Sequence, residues 1–298
     1  MMRNLLRKII PIALLNTYRK RVKRRRNRIL EANRKEGRII SKQDIIHDLS
    51  KAGINADETL LVHSSLSKIG YIDGGAKTVV EALLELLGEN GNLLMPTSPN
   101  SGLQLEYIES LDVFDVARDK SKLGAISEYF RSLPEAIRSA HPTEPVSCIG
   151  PDAAYFTEDH FGTLTPYTAD SPFFRVSERG GKILYLGVTL DNAGTNLHTM
   201  EDAVEEFRYP VYFQKIFEVS VRFPNGEIKK MNTKVHNPEQ SVLRKCDDLL
   251  PLFKERGVYN EVQIGEARAL LFDAKRMLSC MIEEYEKNGV TMYTPDGA

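Results

Sequence analysis

At 298 residues, with 42% apolar and 27% charged content, the chain has the make-up of a soluble globular protein with one large core. Three widely spaced cysteines, and six histidines without HxxxH or HExxH spacing, exclude a disulfide framework and argue against a structural metal; a reducing, cytoplasmic setting is expected. The net charge of −1 hides an uneven distribution: residues 19–28, RKRVKRRRNR, hold eight basic residues in ten, so the remainder is acidic by roughly that margin, which is compatible with a cationic substrate.

Residues 1–35 read as a basic, partly amphipathic arm, and residues 36–298 as one domain without repeats or low-complexity linkers. The apolar run Ile9 to Leu15 is too short to cross a bilayer, contains Pro11, and precedes a basic cluster unlike an export signal. Two readings of the arm stay open, a solvated helical or disordered extension and a peripheral contact with an anionic membrane face. Nucleic-acid binding is disfavoured, because the arm lacks interleaved aromatics and the body is acidic.

Ser41 followed by Asp44 predicts a capped helix ending near Gly53. Leu60 to Val62 then form a strand that breaks into Ser64, Ser65, Leu66 and Ser67. Gly70 and the pair Gly74–Gly75 lead into a helix from about Lys77 to Leu87, and a second strand runs from Asn92 towards Pro96 and Thr97. This is the βαβ order that sets parallel strands side by side, with the intervening loop at a ligand-binding crevice. Such a loop, running into a helix N-terminus, suits a phosphate-bearing ligand. Ser64 and Ser65 read as ligand donors or as strand-end caps; Ser64 lacks the G-x-S-x-G elbow of a nucleophile.

Residues 98–122 read as an irregular substrate-side loop. A helix over 124–133 and short elements over 146–149 and 153–160 follow, with His141, Pro142 and Thr143 closing a turn or lining a site. Lys182 to Val188 is a clear strand. Beyond it, His198 and Glu201 share one helix face, so the carboxylate can fix the imidazole tautomer for general-base work. Asp191 is a second possible carboxylate partner. Asp202 and Glu205 continue the acidic run, either as a solvated face or as a patch that draws in an amine. Two β-like stretches, 211–223 and 227–235, flank the Pro224-Asn225-Gly226 turn, and the last forty residues read as helix-rich.

The stretch VHSSLSKIGYIDGGAKTVVEALLELLGENGNLLMPT resembles the aminoglycoside 3-N-acetyltransferase family, and the likeness continues through 114–143, PYTADSPFFRV and GKILYLGVTLDNAGTNLHTMED. The resemblance implies an α/β fold with a mixed, largely parallel central sheet flanked by helices. It implies acetyl-coenzyme A as donor and a sugar-borne amine or aminoglycoside as acceptor, with direct transfer in a ternary complex. Ser64, Ser65, Leu66, Ser67, Gly70, Gly74, Gly75, Thr97, His141 and Thr143 would hold the donor. His198 would be the base, with Glu201 orienting it. Glu144 and Pro145 stand where the family carries a His-Ser pair. A biosynthetic amino-sugar N-acetyltransferase and a non-catalytic membrane-associated protein are the rival readings; a homodimer is compatible with either.

Overall fold

The computed structural model describes residues 12–298; residues 1–11 of the arm lie outside it. Its main sheet has seven strands in the order β4-β5-β2-β1-β6-β10-β9. These are β1 (Thr59–Ser64), β2 (Asn92–Pro96), β4 (Ile137–Arg138), β5 (Val146–Ile149), β6 (Lys182–Leu186), β9 (Tyr259–Ile264) and β10 (Ala267–Asp273). β1 pairs in parallel with β2 on one side and β6 on the other, and the flanking pairs are antiparallel. The expected mixed sheet is therefore present, but it is not largely parallel: only its two central pairings are, and the other four are antiparallel.

Strand periodicity explains the layers. Leu60, Val62, Leu93, Met95, Leu184 and Leu186 point to one face, where the helices Lys42–Lys51, Ala76–Leu87 and Ala125–Arg131 pack. Leu61, Leu94, Ile183, Tyr185 and Phe272 point to the other, beneath Pro172–Glu178, Leu250–Glu255 and Ala274–Asn288. Ser41 and Asp44 form the expected capping box. All three cysteines are free and buried.

A second sheet, ordered β3-β7-β8, joins β3 (Val113–Asp115) to β7 (Phe217–Arg222) and β8 (Ile228–Thr233). Two expectations change here. Residues 98–122 are not wholly irregular: they contain the helix Gln104–Glu109 and β3, and β3 is ordered by parallel pairing with a strand far along the chain. The C-terminal region is not simply helical either, because a β9–β10 hairpin turning at Gly265 (φ 54°) precedes its helix.

The helix Ile12–Lys35 carries the basic cluster. It is docked along one side rather than free: Arg26 donates to the carbonyl of Ser67, and Asn33 Nδ2 donates to Glu266 Oε1 at 2.6 Å. No helix among the described residues is long and apolar enough to cross a membrane.

Candidate active site

The carboxyl ends of β1 and β6, neighbours in the centre of the sheet, supply both halves of the site. β1 leads towards β2 on one side while β6 lies on the other, so a crevice opens where the chain departs in two directions.

The loop after β1 lines a cavity of about 460 Å³ with Ser64, Ser65, Leu66, Ser67, Gly70 and Gly75, closed by Leu123 to Ala125 and by Asn27 and Leu30 of the docked helix. Ser64 Oγ is buried without a protein partner, a donor left for something in the crevice. Gly70 has φ 117°, a backbone conformation that favours glycine, and a Cβ there would press on the Cδ1 end of the Ile40 side chain. A second cavity of about 420 Å³ borders Lys68 and Arg26 and extends to Arg268 and the turn after β6, Gly187 to Thr189.

Four expected donor residues are not part of this lining. Gly74 (φ 77°) shapes the turn, where a Cβ would meet Thr78 Oγ1 at 2.4 Å. Thr97 is buried, donates to the Pro145 carbonyl at 3.2 Å and accepts from Arg138 Nε. His141 stacks on His160 and is held by Thr143 Oγ1 at 3.1 Å and Thr233 Oγ1 at 3.3 Å. With their polar groups satisfied internally, Thr97, His141 and Thr143 build the floor under the loops rather than a ligand surface.

The loop after β6 leads through a 3-10 turn, Thr195–His198, into the short helix Thr199–Ala203. His198 Nδ1 lies 2.7 Å from Glu201 Oε2, and Tyr293 donates its hydroxyl to Glu201 Oε1 at 2.9 Å. His198 lines a cavity of about 180 Å³ with Gln104, Glu144, Tyr167, Asp191, His236 and Arg244. Tyr167 stacks on it at 4.9 Å, and His236 lies 4.2 Å away, centroid to centroid. With Nδ1 taken by Glu201, Nε2 is the nitrogen left for the cavity.

Burial holds the imidazoles of His198 and His236 well below the usual histidine range, the nearby Arg244 guanidinium adding to the effect. Burial pushes the Glu201 carboxyl up to about 8, against the pull of Arg244 and of the Tyr293 hydroxyl. The dyad thus shares one proton that leaves it electrically neutral, and loses it to become an anion near pH 8, an arrangement chemically able to serve as a base. His198, Glu201 and His236 also bring one potential ligand atom each within 4.8 Å of one another, but Arg244 beside them sets a permanent positive charge against a cation.

Asp191 reaches the mouth of this cavity but does not hydrogen-bond His198; its Oδ1 accepts the Asp247 amide at 3.1 Å. Asp202 turns inward, accepting from Thr165 Oγ1 at 2.5 Å and Tyr212 at 2.8 Å, and the exposed Glu205 does not line the cavity. The acidic run after His198 is therefore not the acceptor-facing patch it suggested. The residues that do face the cavity, Glu144, Tyr167, His236 and Arg244, come from separate segments with no local signal beyond the departure at Glu144.

Residues 61–286 match the family model described as aminoglycoside 3-N-acetyltransferase. The chain belongs to that family. It is 28% identical over 261 residues to aminoglycoside N(3)-acetyltransferase IX of Micromonospora chalcea, covering 80% of this chain and 90% of that relative. Against aminoglycoside N(3)-acetyltransferase III of Serratia marcescens it is 26% identical, covering 83% and 97%. Among solved structures it is similar to aminoglycoside acetyltransferase AAC(3)-Xa, at TM-score 0.74, 25% identity, and coverage of 86% and 96%. It is also similar to AAC-VIa bound to sisomicin, at TM-score 0.69, 26% identity, and coverage of 83% and 97%. Aminoglycoside 3-N-acetyltransferases are acyltransferases, and the fold and the enzyme class expected from the sequence both hold.

Proposed function

We propose that this enzyme transfers an acetyl group from acetyl-coenzyme A directly to an amine on an amino sugar, with His198 as general base. The observation that carries the reading is the buried Glu201–His198 pair at 2.7 Å on the wall of a cavity reached from the same sheet edge as the Ser64–Gly75 loop. Once ionised, Glu201 holds the proton on Nδ1, so Nε2 can accept. The amine nitrogen attacks the thioester carbonyl carbon, the C–S bond breaks, the amine proton passes to Nε2, and the departing thiolate is protonated to the free thiol. No acyl-enzyme is needed, and Ser64 serves as a donor to the bound coenzyme. A relative of the same fold is described as binary with CoASH. The Ser64–Gly75 cavity, with Arg26, Lys68 and Arg268 beside it, offers the coenzyme both an unpartnered hydroxyl and cationic neighbours for its phosphates.

Thiol release from acetyl-coenzyme A, measured with a panel of amino sugars and aminoglycosides, tests the reading. His198→Ala should lower turnover by about 10²- to 10⁴-fold and leave coenzyme binding nearly unchanged. Turnover surviving in that variant removes His198 from the role.

The docked helix supports one addition. Lys20, Arg21, Arg24, Arg25 and Arg28 are exposed while Arg26 and Asn33 hold the other side to the body. The enzyme would present that basic face to an anionic membrane surface.

A further inference from the structure

The helix Ile12–Lys35 precedes residues 61–286, the stretch matched to the family, yet it reaches the cavity beneath the loop after β1. Helical spacing puts Arg26, Leu30, Asn33 and Arg34 on one face, and that face is turned to the body. Asn33 is buried and bonded to Glu266, and Arg34 sits over the Tyr71 ring. Between these anchors and Arg26, Asn27 and Leu30 line the same cavity as Ser64 and Ser65. Leu30 stays half-buried on that wall and Asn27 is exposed, so neither side chain is spent on core packing.

Arg26 does more than attach the helix. Its Nε donates to the Ser67 carbonyl and its Nη2 to the Lys68 carbonyl at 3.3 Å, so one planar guanidinium grips two successive peptide units. Ser67 lines the cavity of about 460 Å³ and Lys68 the second one of about 420 Å³, which places the grip between the two. Glu266 Oε2 steadies Nη2 from 3.6 Å, and the Glu266 amide donates to the Ile69 carbonyl at 2.7 Å. Helix, loop and β9–β10 turn are tied at one point. The guanidinium also occupies two carbonyl oxygens that would otherwise set negative partial charge beside an anionic ligand. A ligand with an apolar, amide-bearing arm and phosphates finds a partner for each part along this face.

We infer that the helix Ile12–Lys35 is a working wall of the coenzyme site. Leu30 and Asn27 cover the bound coenzyme, and Arg26 is a positioning residue that holds the loop after β1 in its binding shape. This rests on acetyl-coenzyme A binding at the Ser64–Gly75 cavity.

The test is calorimetric titration of coenzyme A into the full-length protein, with initial rates of thiol release alongside. Leu30→Asp and Arg26→Ala should each weaken coenzyme A binding by about tenfold or more, the scale of a lost apolar cover or a lost charged hydrogen bond. The loss should appear in KM for acetyl-coenzyme A and not in KM for the amine. Arg26→Lys should recover part of it, and Arg24→Gln, on the outward face, should match the wild type. The wild type supplies a reading that needs no variant to fold: coenzyme A should slow amide hydrogen exchange across residues 24–35. Wild-type affinity in either Leu30→Asp or Arg26→Ala, or exchange over 24–35 that the coenzyme leaves unchanged, overturns the inference. Tighter binding in Leu30→Asp also overturns it, by making the helix an obstruction. Coenzyme binding indifferent to the helix sinks the wall alone. Binding that depends on the helix, with no amine ever acetylated, supports the wall and sinks the transfer chemistry alone. No coenzyme binding by the wild type sinks both.

Discussion

Tyr293 donates its hydroxyl to Glu201 Oε1 at 2.9 Å, so the carboxylate that steadies His198 is itself held by a residue from beyond the last helix. That contact and the charge on Arg244 favour the ionised carboxylate, while burial opposes it and raises the carboxyl to about 8. Because the proton belongs to the dyad, the base form accumulates as pH rises through that value, and under the proposed mechanism the transfer rate should be half its plateau near pH 8 and level above it. Tyr293→Phe removes one contact of roughly 1 kcal/mol, which moves this limb upward by about half to one pH unit. A pH–rate profile unmoved in Tyr293→Phe would show that the hydroxyl does not tune the base. The stability effect runs the opposite way from that of an ordinary salt-bridged carboxylate. Between pH 4.5 and about 8 the folded Glu201 keeps a proton that the unfolded residue has lost, so it lowers stability as pH rises through that window.

At the scale of elements, the helix Ile12–Lys35 and the loop after β1 behave as one unit. Arg26 joins them through the Ser67 carbonyl and lies 3.6 Å from Glu266, while Arg34 sits 5.8 Å over the Tyr71 ring. Docking this side leaves Lys20, Arg21, Arg24, Arg25 and Arg28 outward, each worth about 1 kcal/mol at an anionic lipid surface. The protein should co-sediment with vesicles containing phosphatidylserine at low salt, release as salt rises past 0.15 M or so, and ignore neutral vesicles. Charge reversal of Arg21, Arg24 and Arg28 to Glu should abolish the interaction and leave thiol release in solution unchanged. Equal sedimentation of that variant would assign membrane binding elsewhere or to nothing. The elements themselves were legible where local chemistry decided them. Ser41 and Asp44 announce a capping box, and the two apolar runs around Gly74–Gly75 announce the βαβ unit, because both signals lie within a few residues. β3 and the β9–β10 hairpin were not legible: VFD has no meaning until Ser220 to Arg222 lie beside it, and ARALLFD carries an apolar run that suits a buried helix as well as a strand.

For the whole molecule, the same distinction divides the site. His198 and Glu201 could be paired from sequence because three positions on one turn bring them together. Tyr167, His236, Arg244 and Tyr293 converge on them only after the sheet and the C-terminal helix have been assembled, so no local spacing marked them. Conversely, Asp202 and Glu205 looked like acceptor contacts because the chain offers acidic residues in a row, while the backbone turns one inward and leaves the other off the lining. The interior also collects histidines: His63 on Tyr185, His141 on His160, and His198 beside His236 are all buried. Burial lowers His63 to about 4 and His160 to about 3, whereas unfolded rings protonate near 6.5. The folded state therefore keeps its full contribution from these groups above pH 6.5 and loses it as pH falls towards 4, roughly 3 kcal/mol for His63 alone. The raised carboxyls of Glu144, Glu201 and Asp202 offset part of that loss. Urea midpoints should accordingly fall between pH 6.5 and 4, and His63→Gln should lose less over that interval than the wild type. Parallel curves for the two proteins would refute a buried neutral His63.

The pairing of β1 with β6 sets Leu60 to Ser64 against Lys182 to Leu186, strands separated by more than a third of the chain. Closing so long a loop must precede any reward from the contact, which makes this seam a late event in folding. Until it forms, the apolar edge of β1 stands open to other unfinished chains. Both halves of the active site hang from this seam. A refolding population should therefore regain its helices and much of its collapsed core well before it regains turnover, and crowding during that interval converts a slow step into aggregation.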